Sequence, residues 1–307
     1  MYPEERAVWT QAVVCNQRLE AELSRCAPRL AQHVTAWLRD LVGDPAQAWI
    51  RPRAFPLLQL PRWFAASVAA PSDTRFQADL DYSSVNGYYL IRLIDNVMDG
   101  DGTIESRLLP AVAFFHSRFQ GVYLEYFPAG HPFWQAFDAA WIEYADRTIR
   151  DGFLKQVGEQ EFREIAGKKF CAASIPLTAV ALRSGRTDTL PLWRDLVEAL
   201  GRWHQMANDF FDWHHDRKYR IPTFVQTAGD RMRNSRESPT SWFVREGFAW
   251  GVAELEKLRE EVRAAASAIA SPELHRYLAV REVAFRAELE NAAQAVGALR
   301  ALEAAFA

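Results

Sequence analysis

Two short stretches of this chain carry side chains whose types and spacing could hold a divalent metal ion. In segment 87–102 (GYYLIRLIDNVMDGDG), Asp95 and Asp99 are four residues apart. On a helix that spacing sets both carboxylates on one face, about 6 Å apart along the axis. Carboxylates so close repel unless a cation lies between them, and Mg²⁺ takes oxygen ligands of this kind. A solvated helix end explains the pair less well. Negative charge at a helix C-terminus opposes the macrodipole, and the preceding turns are almost wholly apolar, which predicts a buried helix.

The second stretch is 205–216 (QMANDFFDWHHD). Asn208, Asp212 and Asp216 follow an i, i+4, i+8 pattern, which predicts a polar stripe along one helix face. Phe210, Phe211 and Trp213 fall on the other faces, and a solvated surface helix does not usually surround its acids with large aromatics. His214 and His215 lack a further histidine at ligand spacing, so they read as exposed or hydrogen-bonded residues. Several helix-scale segments separate the two stretches, enough for the chain to turn back on itself. One pocket with carboxylates on opposing walls would then hold several Mg²⁺ ions around a diphosphate.

Helical periodicity dominates the elements that must position these groups. Segments 4–26 and 28–41, and more clearly 251–270 and 280–306, repeat apolar residues at three- and four-residue spacing. Alternating β-branched runs are nearly absent. Gly, Pro and Asp cluster at 43–45, 70–73, 100–102, 128–132 and 184–186, which marks breaks. The polar segment 227–240 (TAGDRMRNSRESPT) predicts a mobile loop. With no long linker and no repeat, the expectation is an all-α chain, a single domain over residues 1–307, with about ten helices packed as a bundle.

Bulk composition narrows the partners. The chain is 49% hydrophobic, ample to bury a core, and its net charge of -3 supplies no basic field for nucleic acid. Its 11 Trp and 19 Phe suit either bulky core filling or an aromatic-walled cavity. Cys15, Cys26 and Cys171 are scattered, with neither zinc-ligand spacing nor a disulfide framework. The start shows no apolar signal region, and no stretch approaches the roughly 18 to 20 apolar residues that span a bilayer. A soluble, cytoplasmic protein without stable membrane insertion is expected.

The two acidic stretches also match known motifs. Asp95-Asn96-Val97-Met98-Asp99 has the form D-(D/N)-x-x-(D/E). Gln205-x-x-Asn208-Asp209-x-x-Asp212-x-x-x-Asp216 is a hybrid of Q-x-x-D-D-x-x-D and (N/D)-D-x-x-(S/T)-x-x-x-E. On these motifs, residues 45–225 resemble the class I isoprenoid synthase superfamily, which includes trans-prenyl diphosphate synthases and terpene cyclases. Segment 60–64 (LPRWF) and the DGDG at 99–102 are similar to the moenomycin-pathway prenyltransferase group. The resemblance implies the class I terpenoid synthase fold around a central cavity, a homodimer, and a cluster of about three Mg²⁺ ions. Asp95, Asp99, Asn208, Asp212 and Asp216 would be the metal ligands. Lys169 or Lys168 stands where prenyl synthases carry a diphosphate-gripping lysine. Arg51 and Arg53 stand near an early basic segment of that family, and Lys218 and Arg220 follow the second motif.

Departures from the family pattern bear on the reaction. Chain-elongating synthases follow the first motif with Arg-Arg-Gly, whereas 100–102 leads here to a lone Arg107. Ile50 replaces the lysine of the early basic segment, and Tyr88 stands where a His or Gln is found. The isopentenyl diphosphate site is thus incomplete while the ionisation site is kept. The resemblance therefore implies a prenyl diphosphate substrate and a terpene cyclase, with a prenyltransferase as the alternative and a non-catalytic prenyl synthase subunit behind both. Tyr88, Tyr89, Trp203, Gln205 and Phe210 would line the substrate pocket, the aromatic rings stabilising an allylic cation by cation–π contact, with Leu90 and Ile91 limiting chain length. A di-iron carboxylate bundle would need paired Glu-x-x-His motifs, which the chain lacks.

Overall fold

A computed structural model describes residues 3–42, 49, 51, 53–98 and 106–306. Among the described residues there is no β-strand, and the chain is all-α as its periodicity predicts. In chain order the helices are α1 (Pro3–Cys26), α2 (Pro28–Val42), α3 (Leu60–Ser67), α4 (Thr74–Met98), α5 (Pro110–Gly121), α6 (Pro132–Gly152) and α7 (Glu159–Ile165). They continue with α8 (Ser174–Ser184), α9 (Leu190–Phe211), α10 (Trp213–Tyr219), α11 (Phe224–Met232), α12 (Pro239–Trp242), α13 (Phe248–Ser267) and α14 (Pro272–Phe306). Proline stands at the start of many of them, where its missing N–H costs nothing and its fixed φ suits the first turn. The predicted breaks at 70–73, 128–132 and 184–186 fall between helices. Those at 43–45 and 100–102 lie outside the described residues.

The chain forms two compact units, Met1–Ile142 with Ala172–Leu190, and Glu143–Cys171 with Pro191–Ala307. In the first, α4 packs against α5 and α1 around a core that includes Leu19, Leu23, Val34, Trp37, Tyr89 and Phe115. Gly87 lets α5 approach, because a Cβ there would lie 2.9 Å from the Phe119 ring. Ser83 Oγ donates to Phe119 O at 2.7 Å on the same seam. Arg62, in the LPRWF segment of α3, pairs with the fully buried Asp81 of α4. These contacts hold the helix that carries the first motif.

The second unit is built on α9, α13 and α14. Met206, Ala207 and Phe210 of α9 join Phe243, Leu255, Leu258 and Phe285 in its core. A π-helical turn, Phe243–Gly247, links α12 to α13, and Arg300 of α14 donates to Val244 O at 2.6 Å. Segment 227–240 is not the mobile loop its polarity suggested. Helix α11 runs through Met232 and α12 begins at Pro239. The short connection is tied by Asn234 N donating to Glu237 Oε2 at 3.0 Å and by a two-pronged Arg245–Glu237 ion pair. Polarity there pays for specific hydrogen bonds rather than for freedom.

The expectation that no stretch is long and apolar enough to span a bilayer also needs correction. The helical run Glu159–Ser184, 26 residues, is long and apolar enough to cross a bilayer. Lys168 and Lys169 interrupt its apolar residues. Within its most apolar window 72% is buried inside the protein, as in the core helix of a globular chain.

Candidate functional site

The first motif ends α4. Asp95 is half-buried in the final turn, Asn96 is buried, and Val97 and Met98 are exposed. Asp99 and the Gly100-Asp101-Gly102 turn lie outside the described residues. One and two turns back, the helix buries its other faces. Tyr89 and Leu90 belong to the core, with the Tyr89 hydroxyl donating to Asn16 Oδ1 at 2.8 Å. Ile91 and Tyr88 are part-buried. The Tyr88 ring lies 4.8 Å from Trp49 and 5.5 Å from Tyr89. Burial pushes the Tyr88 phenol above its usual range, Arg92 and Arg51 oppose that, and Asp95 adds to it. Arg51 therefore comes within electrostatic reach of the Tyr88 hydroxyl, as does Asp95. Arg51 is exposed and Arg53 part-buried, with Pro52 and Ile50 outside the described residues.

The second motif is not carried by one unbroken helix. Helix α9 ends at Phe211, and Asp212 takes φ -97° and ψ 7° as the residue preceding α10. Aspartate favours helix starts, yet its side chain makes no capping bond here. The helical register nevertheless passes through the break. Asp212 N donates to Asn208 O at 2.8 Å, and Asp216 N donates to Asp212 O at 2.9 Å. Asn208 is half-buried, Asp212 exposed, and the Asp216 side chain 13% exposed. The predicted i, i+4, i+8 relation thus survives in the backbone while the helix that should carry it divides.

The buried acid of the motif is Asp209, only 4% exposed. Gln205 Nε2 donates to its Oδ1 at 2.8 Å. Burial pushes this carboxyl up to about 7, Gln205 and Lys169 pull it down, and Asp216 and Asp151 push it further up. Lys169 lies in the 3-10 turn Lys168–Ala173, and its Nζ donates to Asp151 Oδ2 at 2.7 Å. Lys168 instead pairs with Glu143 at 3.5 Å. Asp151 carried no motif signal in the sequence. It ends α6 and is brought to Lys169 by tertiary folding alone.

Around this cluster, Phe210 is core, wedged against Gly251, Phe211, Phe243 and Phe248. Trp203 is part-buried, edge-on to Phe285 at 4.9 Å. His214 and His215 are exposed as expected, His215 Nδ1 lying 3.5 Å from Asp216 Oδ1. Lys218 and Arg220 are exposed at the end of α10, where Arg220 adopts the left-handed conformation with φ 59°.

Among the described residues no three His, Cys, Asp or Glu side chains converge in a ready metal site. The donors offered by Asn208, Asp212 and Asp216 are all oxygens, the set a hard cation such as Mg²⁺ accepts, and it commonly completes its shell with substrate phosphate oxygens and water. The donor chemistry therefore fits the ion that the resemblance implies. No family model matches the chain, and no curated protein matches its sequence.

Proposed function

We propose that this chain ionises a linear prenyl diphosphate in a Mg²⁺-dependent reaction that releases pyrophosphate, acting as a terpene cyclase. The observation that supports it most is the second motif itself. Asn208, Asp212 and Asp216 keep helical register across a break, beside a buried Asp209 that lies within the field of Lys169. A solvated acidic face would not bury one of its carboxylates.

In this reading Asn208, Asp212 and Asp216 would hold Mg²⁺, as would Asp95 and Asp99 of the first motif, and the bound ion would supply the charge neutralisation that makes pyrophosphate a leaving group. Lys169 donates to a diphosphate oxygen. Lys218 and Arg220, on the exposed end of α10, add positive charge at the same group. The electron pair of the allylic C–O bond leaves with pyrophosphate, and the allylic cation is captured by an alkene of the same chain before a proton is lost. Trp203, a part-buried ring on α9 itself, would favour the cation and exclude water. Capture within the molecule is preferred over a second isoprenoid because the sequence lacks the Arg-Arg-Gly of elongating enzymes.

The test is incubation with geranyl, farnesyl and geranylgeranyl diphosphates and Mg²⁺, with and without isopentenyl diphosphate, following pyrophosphate and organic product. An apolar product from a single substrate, abolished by chelation and by Asp95→Ala or Asn208→Ala, is expected. Strict dependence on a second substrate would make the protein a prenyltransferase. Pyrophosphate release that survives both substitutions would remove the site assignment.

A further inference from the structure

The Lys169 ammonium pairs with one acid and lies within the field of another. Asp151, in the last turn of α6, accepts from it directly at 2.7 Å. Asp209, on α9, lies within its field and has its Oδ1 already engaged by Gln205. The side chains of the direct pair are 18% and 32% exposed, so the pair stands where protein meets water. An anion could therefore approach it without unfolding anything. Ion pairs near solvent are weak, so this one can orient a lysine and still be exchanged.

We propose that Asp151 is a displaceable counter-ion, holding Lys169 beside the α9 motif until a diphosphate takes the ammonium from it. The inference rests on reading the α9 motif as a diphosphate site, and it assigns to Asp151 a role that no motif carries. The physical case is one of charge. A diphosphate brings several oxygens and more than one negative charge, whereas Asp151 brings one charge, so the exchange favours the ligand once it is in place. Before that, the hydrogen bond to Asp151 fixes where the ammonium stands. Asp151 is thus a positioning residue acting through Lys169. By competing for the ammonium, its carboxylate weakens substrate binding and speeds the departure of pyrophosphate.

The experiment is calorimetric titration of inorganic pyrophosphate, with Mg²⁺, into the full-length wild type, Asp151→Asn, Lys169→Gln and the double variant. Asp151→Asn is expected to bind pyrophosphate about fivefold more tightly, the equivalent of a partly exposed ion pair. Lys169→Gln is expected to bind it more weakly. The double variant should match Lys169→Gln, because the counter-ion then has nothing to withhold. With a prenyl diphosphate, Asp151→Asn should lower KM without raising kcat. Asp151→Ser repeats the test should the asparagine variant not fold. The proposal is overturned if pyrophosphate does not bind, if Asp151→Asn binds it no more tightly, or if the same gain persists without Lys169. The two readings fail separately. Binding that follows Lys169 and Asp151 without turnover removes the reaction alone, and turnover with unchanged Asp151→Asn affinity removes the counter-ion alone.

Discussion

Trp213 stacks on Phe243, with ring centroids 4.2 Å apart and planes 15° from parallel. Phe243 also packs on Phe210, 5.7 Å away. A single side chain of the π-helical turn therefore grips rings on both sides of the Asp212 break. Turns of this kind inside helices often accompany functional sites, and here the turn fixes how α10 leaves α9. Phe243 is 5% exposed, so Phe243→Ala would leave a cavity and is expected to cost about 3 to 5 kcal/mol. Phe243→Leu keeps most of the volume and should cost much less. Urea unfolding measures both. If the two variants lose equal stability, the ring stack is not what holds the break.

Arg220 carries a different kind of strain. Its left-handed backbone, φ 59° and ψ 34°, ends α10 and lets Ile221 N donate to Asp216 O at 2.8 Å. Glycine is the usual residue there because a Cβ makes that conformation unfavourable by roughly 1 kcal/mol or more. Arg220→Gly is therefore expected to raise stability by about 1 kcal/mol while reducing turnover of a prenyl diphosphate. Arg220→Ala removes the charge but keeps the strain, and should lose turnover without gaining stability. Thermal melts and pyrophosphate release, measured on both variants, separate backbone cost from side-chain role. Equal turnover in all three proteins would show that the arginine has no part in the reaction.

Asp81 gives a pH dependence remote from the motifs. Burial pushes its carboxyl from 3.8 up to about 6, with Arg62 and Gln77 pulling it back. The folded state thus holds the proton more firmly than the unfolded chain does. The stability this contributes is fully present below about pH 4 and is lost as pH rises through 6. The shift bounds the loss at about 3 kcal/mol. Asp81→Asn cannot titrate, so its stability relative to wild type should improve between pH 4 and pH 7.5, whatever it loses by giving up the Arg62 ion pair. Denaturant curves at the two pH values test this, and an offset that does not change with pH would refute it.

How much of this was legible in the sequence depends on what each feature rests on. The all-α class, the bounds of α1 and α2 and the bodies of α13 and α14 follow from apolar spacing, which is local, although α14 begins at Pro272, ahead of the 280–306 run. The i, i+4, i+8 relation of Asn208, Asp212 and Asp216 was legible for the same reason. The break at Asp212 was not, because it depends on Trp213 docking against Phe243, thirty residues away in sequence. Asp209 was visible in the motif but not as its buried member, since burial is decided by neighbouring helices. Asp151 could not be found at all from spacing. The 227–240 segment misled because Arg233, Asn234, Glu237 and Arg245 look the same in a solvated loop as in one tied by its own side chains.

Gly251 offers the sharpest test of how α9 is seated. A Cβ placed on it would overlap the Phe210 ring, one residue past Asp209. Phe210 has no room to retreat, being enclosed by Phe211, Phe243 and Phe248. Glycine inside a helix normally costs about 1 kcal/mol relative to alanine, so Gly→Ala should stabilise wherever space allows. At Gly297 of α14, nothing lies within 4 Å of the added Cβ, and Gly297→Ala is expected to gain about 0.5 to 1 kcal/mol. At Gly251 the same substitution is expected to lose about 1 to 3 kcal/mol by overpacking. Adding Phe210→Leu should recover part of that loss, because the smaller side chain can yield. Opposite signs at the two glycines, with partial rescue at the first, would establish that close approach of α13 to Phe210 seats the helix bearing the second motif; a stabilising Gly251→Ala would exclude it.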